Sequence, residues 1–177
     1  MKKRFKLYTV NIKYIRNLHS IDNNVPSVSP QIGKQNRPFL GVVVLVNKSK
    51  FCIPLTSNSS NKSEKFDKIR ENITFRKIYD KKGNVLAALN LNNMIPVREE
   101  YITEIDLKPR SNDTPEQMRW KKLCIKELDW CQTHQDEIER LANELYGLYI
   151  SDVSFTKRKI CLDFPALEKE CNKSKKK

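Results

Sequence analysis

Residues 39–57 read FLGVVVLVNKSKFCIPLTS, and this stretch decides the fold. Phe39 to Val46 is an almost unbroken apolar run rich in valine. Branching at Cβ stiffens the side chain and favours extended backbone, so the run reads as a buried strand. Asn47 to Lys50 supplies a turn, and Lys50 to Leu55 returns as the partner strand of a β-hairpin. Pro54 has no N–H to give to a ladder, which predicts an edge position or a bulge there.

Outward from the hairpin, Lys6–Val10 reads as a first strand. Asn11 can cap a helix over Ile12–Leu18, whose Ile12, Ile15 and Leu18 share one face. Residues 22–38 hold three prolines and a glycine and read as a long exposed loop, a common place for function. The polar stretch Thr56–Asp67 reads as a second loop. Ile73–Tyr79 and Val85–Leu91 are two further strands around a turn at Asp80–Asn84, where Gly83 can take positive φ. Met94–Val97 is a short strand, and Tyr101–Leu107 is a strand or a short helix. Thr114, Pro115 and Gln117 form a capping box with proline at the first helical position. The helix that follows carries Met118, Trp120, Leu123, Cys124, Leu128 and Cys131 around an apolar face. After a break at Gln132–Gln135, a second helix runs over Asp136–Tyr149. The class is α+β: a compact, curved antiparallel sheet with a helical C-terminal third.

The chain has 177 residues with 34 Lys+Arg against 21 Asp+Glu, a formal net charge of +13. Its length predicts one domain over 1–171, followed by a basic, disordered tail at 172–177. A pI near 9.6 attracts phosphate polyanions. No apolar run approaches the ~20 residues of a membrane span, and no signal peptide follows the basic start, so nucleic acid is the expected partner and not a membrane. Some of the charge is ordinary solvated surface. The five cysteines are scattered and odd in number, without a CxxC pair, which argues for a reducing cytoplasm and against zinc or a disulfide framework.

Metal and cofactor signals are lacking: there is no HxH, HExxH, DxD array or Gly-rich phosphate loop. His19 and His134 are each solitary and read as packing or surface residues. Asp and Glu fall mostly in helices opposite Lys, as ion-paired surface. One constellation stands out by position. Hairpin register brings the residue entering the first strand beside the residues leaving the second, so Arg37 meets Thr56 and Ser57, with Lys34, Lys62 and Lys65 in the adjoining loops. Cations that hold a phosphate and hydroxyls that donate to its oxygens suit a phosphodiester. RNA brings its own nucleophile, the 2′-OH, so such a site could cleave it without metal or cofactor. Spacing alone favours the plainer reading, in which Thr56 and Ser57 only make a turn.

The segment Phe39-Leu-Gly-Val-Val-Val to Phe51-Cys-Ile-Pro-Leu-Thr-Ser57 resembles the signature segment of the ToxN/AbiQ endoribonucleases, toxins of type III toxin–antitoxin systems. The likeness extends to Leu7–Val10, to Lys13-Tyr14-Ile15 and to Leu89-Asn-Leu-Asn-Asn-Met-Ile-Pro-Val97. It continues at Asn112–Pro115 with Met118 and Lys121–Leu123, in the same order over most of the chain. The resemblance implies an SH3-like antiparallel β-barrel core of the MazF/Kid/CcdB kind, elaborated by helices. It implies sequence-selective, metal-independent cutting of mRNA through the 2′-OH, leaving a 2′,3′-cyclic phosphate, with growth arrest or abortive phage infection as the outcome. It also implies an inhibitor, a short pseudoknotted antitoxin RNA cut from a repeat transcript, closing with the toxin into a ring of three proteins and three RNAs. The family's active-site lysine before the strand falls on Arg37, its Thr-Ser pair on Thr56 and Ser57, and its early tyrosine on Tyr14. A loop tyrosine of some members has no counterpart at Gly33 or Lys34. Arg binds phosphate bidentately but is a poor proton carrier, so Arg37 reads as an electrostatic stabiliser and the general base stays unassigned. Lys34, Asn58, Lys62, Lys65 and Lys68 form the expected RNA-binding set, with Tyr8, Tyr14, Phe66 and Tyr79 as candidate stackers for unpaired bases. The alternatives are a non-catalytic RNA-binding module, or a barrel-fold toxin that poisons a protein target.

Overall fold

The computed structural model describes residues 3–26, 38–44, 47–58 and 63–173. Strand β1 (Lys6–Val10) leads into helix α1 (Ile12–Ile21), which starts where the Asn11 side chain accepts from the Tyr14 N–H at 3.2 Å. The helix buries Tyr14, Ile15 and Leu18 and runs past Leu18 to a C-cap at Asp22. The hairpin is present as β2 (Phe39–Val44) and β3 (Lys50–Ser57), paired antiparallel with Phe39 opposite Pro54. Next come α2 (Ser63–Lys68), β4 (Phe75–Tyr79), β5 (Val85–Asn90), β6 (Ile95–Pro96) and β7 (Ile102–Glu104). Three helices close the chain: α3 (Pro115–Thr133), α4 (Gln135–Ser151) and α5 (Phe164–Cys171). The class is therefore α+β, with antiparallel pairing throughout the described sheet.

The strands run in the order β4-β5-β3-β2-β1-β7, with β6 also paired to β3. β3 is central. One edge pairs with β2; the other pairs with β6 through Phe51–Cys52 and with β5 through Leu55–Ser57. Pro54 is thus neither on a sheet edge nor at a bulge, and the bulge of the hairpin falls between Gly41 and Val43. The N–H of Leu55 points toward β2, where it donates to Pro38 O at 3.1 Å. Strand alternation turns the imide nitrogen of Pro54 the other way, into the gap between β6 and β5, where a ladder donor is not needed. The closed barrel implied by resemblance is also not formed among the described residues: no ladder joins β4 to β7, the two ends of the strand order.

Two segments read as loops have more structure. β3 continues through Thr56 and Ser57, and α2 occupies part of the polar stretch after it. Leu91–Asn93 and Glu99–Tyr101 are short 3-10 turns. Helix α5 had no counterpart in the hydrophobic periodicity; its signal is the Asp163 cap, which accepts from Ala166 N at 3.2 Å, with Pro165 in the first turn. The helix carries the buried Phe164, whose ring packs edge-on against Phe51 of β3 with centroids 6.0 Å apart. The α3–α4 junction grips β1: Gln135 Oε1 accepts from the Phe5 N–H at 3.1 Å, and Gln132 donates to Phe5 O at 2.8 Å. The core lies between the sheet and these helices.

Candidate active site

The last two residues of β3 carry the predicted hydroxyl pair, and β5 lies beside them: Thr56 is opposite Ala88 and Ser57 opposite Ala87. Successive side chains of a strand point to opposite faces of its sheet. The pair is therefore divided. Thr56 Oγ1 accepts from Asn90 Nδ2 at 3.2 Å on one face. Ser57 Oγ donates to Glu127 Oε1 at 2.8 Å on the other, beneath α3.

Glu127 is the residue that sequence reasoning missed. It lies on the buried stripe of α3, one turn after Cys124 and one before Cys131, and its relative exposure is 0%. A carboxylate taken out of water loses hydration, which favours the protonated form. Burial pushes its pKa up to about 7, and the hydrogen bond from Ser57 opposes that shift. Among the described residues its second oxygen, Oε2, has no hydrogen-bond partner. Burial also raises the flanking Cys124 thiol to about 12, and Cys131 moves in the same direction, so neither is a ready nucleophile at neutral pH. Arg76 shares this face of the sheet but is committed elsewhere: it bridges Glu71 at 2.6 Å and Glu137 at 3.0 Å and lies over the Trp130 ring. What remains is a hydroxyl held by a buried carboxyl that changes protonation near neutrality, at a strand end. Such a pair can take up or return a proton. The sequence signal was a lone acidic residue on a stripe of Cys and Leu, and Glu127 corrects the reading of the acidic residues as ion-paired surface.

Among the described residues, the remaining predicted ones are not gathered into a single cluster. Lys34, Arg37 and Lys62 lie outside the described residues, as does the Lys65 side chain. Lys68 is exposed at the end of α2. Asn58 follows Ser57 and stays in register with β5: its N–H donates to Leu86 O at 2.7 Å and its Nδ2 to Val85 O at 2.9 Å. Its Oδ1 is buried without a partner among the described residues. Tyr14 is not brought to the hydroxyl pair. It is buried, stacked on Tyr101 at 3.9 Å, and its hydroxyl donates to Pro96 O at 2.6 Å. Pro96 is opposite Phe51, five residues back along β3 from Thr56, a distance of roughly 17 Å. Tyr8 is buried in β1 opposite Phe39 and Glu104, and Phe66 is buried against Phe75, so neither presents an open ring for stacking. His19 contacts Val25 O at 2.6 Å, and His134 stacks on Trp130, both as packing residues. No described helix is long and apolar enough to cross a membrane.

Comparison with known proteins places this arrangement in context. A family described as "Toxin ToxN, type III toxin-antitoxin system" matches residues 6–172. Endoribonuclease ToxN of Bacillus thuringiensis subsp. kurstaki is 27% identical over 175 residues, covering 96% of this chain and 84% of the relative. Among solved structures, one from work on selective toxin inhibition by a non-coding RNA pseudoknot superposes with a TM-score of 0.76 at 26% identity, over 96% of each chain. AbiQ, a lactococcal anti-phage endoribonuclease of the type III toxin–antitoxin class, superposes with a TM-score of 0.77 at 22% identity, again over 96% of each chain.

Proposed function

The chain belongs to the ToxN toxin family of type III toxin–antitoxin systems, and from that premise we propose that it is an endoribonuclease working at the C-terminal end of β3. The observation that carries this reading is the 2.8 Å hydrogen bond from Ser57 to the fully buried Glu127. At neutral pH the carboxylate form of Glu127 can draw on the Ser57 proton, leaving the Ser57 oxygen free to accept from a ribose 2′-OH. The 2′-oxygen then bonds to phosphorus while the P–O5′ bond breaks. The products are a 2′,3′-cyclic phosphate and a 5′-hydroxyl, the latter taking up one proton. No metal enters, because RNA supplies the nucleophile and the protein supplies the proton path. Glu127 acts through Ser57 and does not touch RNA.

Thr56 and Arg37 are the proposed phosphate contacts: Arg37 precedes β2, and β2 lies beside β3 at the end that carries the pair. Lys34, Asn58, Lys62, Lys65 and Lys68 are the proposed RNA-binding set around it, and the +13 net charge supports a polyanionic partner. Tyr14 serves, in this reading, by tying α1 to β6. The partners are mRNA as substrate and a pseudoknotted antitoxin RNA as inhibitor, which closes the toxin into a ring of three proteins and three RNAs. The five thiols are all free and buried, which suits a reducing cytoplasm. We read 1–171 as the catalytic domain and 172–177 as a basic tail. The bent sheet is read as an opened relative of the SH3-like barrel of MazF, Kid and CcdB, since β3 serves both of its halves.

The test is cutting of labelled RNA with and without EDTA, with end-group analysis for the cyclic phosphate. Wild-type protein that binds RNA and leaves it intact in both conditions would establish a binding module instead. Toxicity that persists while cellular RNA stays uncut would point to a protein target.

A further inference from the structure

The face of the sheet opposite Glu127 holds a cation that the reading above leaves unused. Lys77 of β4 is opposite Ala88, and Ala88 is in turn opposite Thr56. Paired residues of an antiparallel sheet point to the same face, so Thr56, Ala88 and Lys77 form one row across three strands. Two strand spacings separate the ends of the row, ~10 Å. The side chain between them in the row is the methyl group of Ala88, which is fully buried. The four-carbon stem of a lysine covers more than half of that gap.

Lys77 is 9% exposed, in a chain whose other described lysines lie mostly at the surface. Its backbone N–H donates to Glu71 Oε1 at 2.8 Å, but among the described residues its ammonium has neither a hydrogen-bond nor an ion-pair partner. A cation on a mostly buried stem, with no countercharge among the described residues, is one that an arriving anion can pair with. A second group on the same face is also unsatisfied. Asn58 lies two residues beyond Thr56, hence on its side of the strand, and among the described residues its buried Oδ1 lacks a donor. A ligand that completes both groups must bring both an anionic oxygen and an O–H or N–H donor. A ribonucleotide does so through its phosphate and its 2′-OH.

We propose that Lys77 binds a non-bridging oxygen of the phosphodiester held at Thr56, reaching it across Ala88, and stabilises the charge that builds there during cleavage. The proposal rests on the endoribonuclease reading for the second half of that role. Lys77 acts through its charge and transfers no proton. Its contribution is a fixed positive charge in a site poor in water, where such a charge acts most strongly.

The test uses the full chain and an RNA that the wild type cuts, with a second version carrying 2′-deoxyribose at the cut position for binding. Lys77→Met keeps the stem and removes the charge. It is expected to slow single-turnover cleavage about 100-fold. It should also reduce the slope of log affinity against log salt by about 0.7, the loss of one phosphate contact to a single strand. Lys77→Arg should retain the slope and lose less than about tenfold in rate, and methylammonium should restore part of the rate of Lys77→Ala. Equal losses in the Met and Arg variants with an unchanged salt slope would mark Lys77 as packing and overturn the proposal. So would Lys77→Met cutting at the wild-type rate. Wild-type protein that never cuts RNA would instead remove the endoribonuclease reading, and the salt slope would still decide whether Lys77 meets a phosphate.

Discussion

The two faces of the β4-β5-β3 sheet differ in kind, although the residues that define them are neighbours in sequence. Beneath α3, Ser57 meets a carboxyl that is buried, lacks a countercharge among the described residues and has its pKa pushed up to about 7 by desolvation. On the other face, Thr56 meets the Asn90 amide, with Lys77 in the same row and, among the described residues, an unfilled acceptor at Asn58. In the proposed reading, one face exchanges a proton near neutral pH and the other neutralises negative charge. Metal-free cleavage of RNA needs both functions at one phosphate. β3 ends at Ser57, so both faces open onto the same rim. A strand end separates the two tasks by one residue and keeps the low-dielectric pocket of the carboxyl away from the cation that would otherwise lower its pKa.

The largest effect expected from breaking this division is at Ser57. Ser57→Ala removes the link between the carboxyl and the RNA and should lower cleavage by about 10³-fold or more while the circular dichroism spectrum is unchanged. Retention of more than about a tenth of the activity would mean that the proton path does not pass through Ser57. Glu127→Gln keeps the shape and removes the ionisation. Cleavage should fall by about 10²-fold. The wild-type rate should rise through an inflection near pH 7, where Glu127 titrates, and that inflection should be missing from the variant.

The same carboxyl predicts an effect of opposite sign on stability. Its folded-state value of about 7 is above the ordinary 4.5, so the native protein holds this proton more tightly than the unfolded chain. The stabilisation is complete below pH ~4.5 and is lost progressively as pH rises through about 7, an amount on the order of 3 kcal/mol. Glu127→Gln should remove that slope, and at pH 8 it should unfold at a higher denaturant concentration than the wild type. A gain in stability with a loss of activity separates a functional carboxyl from a structural one.

How much of this was legible in the sequence depended on whether the signal was local. The β2–β3 hairpin, the Asn11 cap, the Thr114 box and the glycine turn at Gly83 were readable, because each is fixed by residues within a few positions of one another. Gly83 has φ of +85°, which a side chain would strain. The place of Pro54 was not readable. Its tolerance in a central strand depends on β6 and β5 leaving a gap beside it, and both come from elsewhere in the chain. Glu127 was hidden for a related reason: on a helix rich in charged residues, only the packing of Cys124 and Cys131 against the sheet reveals which carboxyl is inside. The hydroxyl pair was found, but its division between two faces follows from β3 extending through Ser57, where polar composition had suggested a loop.

The smallest effect on cleavage should come from the other end of β3, and it tests whether the two faces hold all the chemistry. The family resemblance brings a tyrosine role to Tyr14, yet the Tyr14 hydroxyl is spent on Pro96 O and its ring is enclosed against Tyr101. Burial, the largest cause, raises its pKa far above that of a free phenol, which makes it a poor proton donor to a leaving oxygen. Tyr14→Phe leaves the ring stack in place and strips the Pro96 carbonyl of a buried partner, a loss of ~1–2 kcal/mol in stability. Cleavage at a temperature where both proteins are folded should change by less than about threefold, because the phenol is roughly 17 Å along the strand from Thr56. A hundredfold fall in rate without a fall in stability would move the proton chemistry to the Phe51 end of the strand. It would leave Ser57 and Glu127 as a buried polar pair and nothing more. The present geometry argues against that outcome: Tyr14 satisfies the Pro96 carbonyl, which points away from β3, and a phenol committed there and stacked on Tyr101 is not free to swing toward RNA.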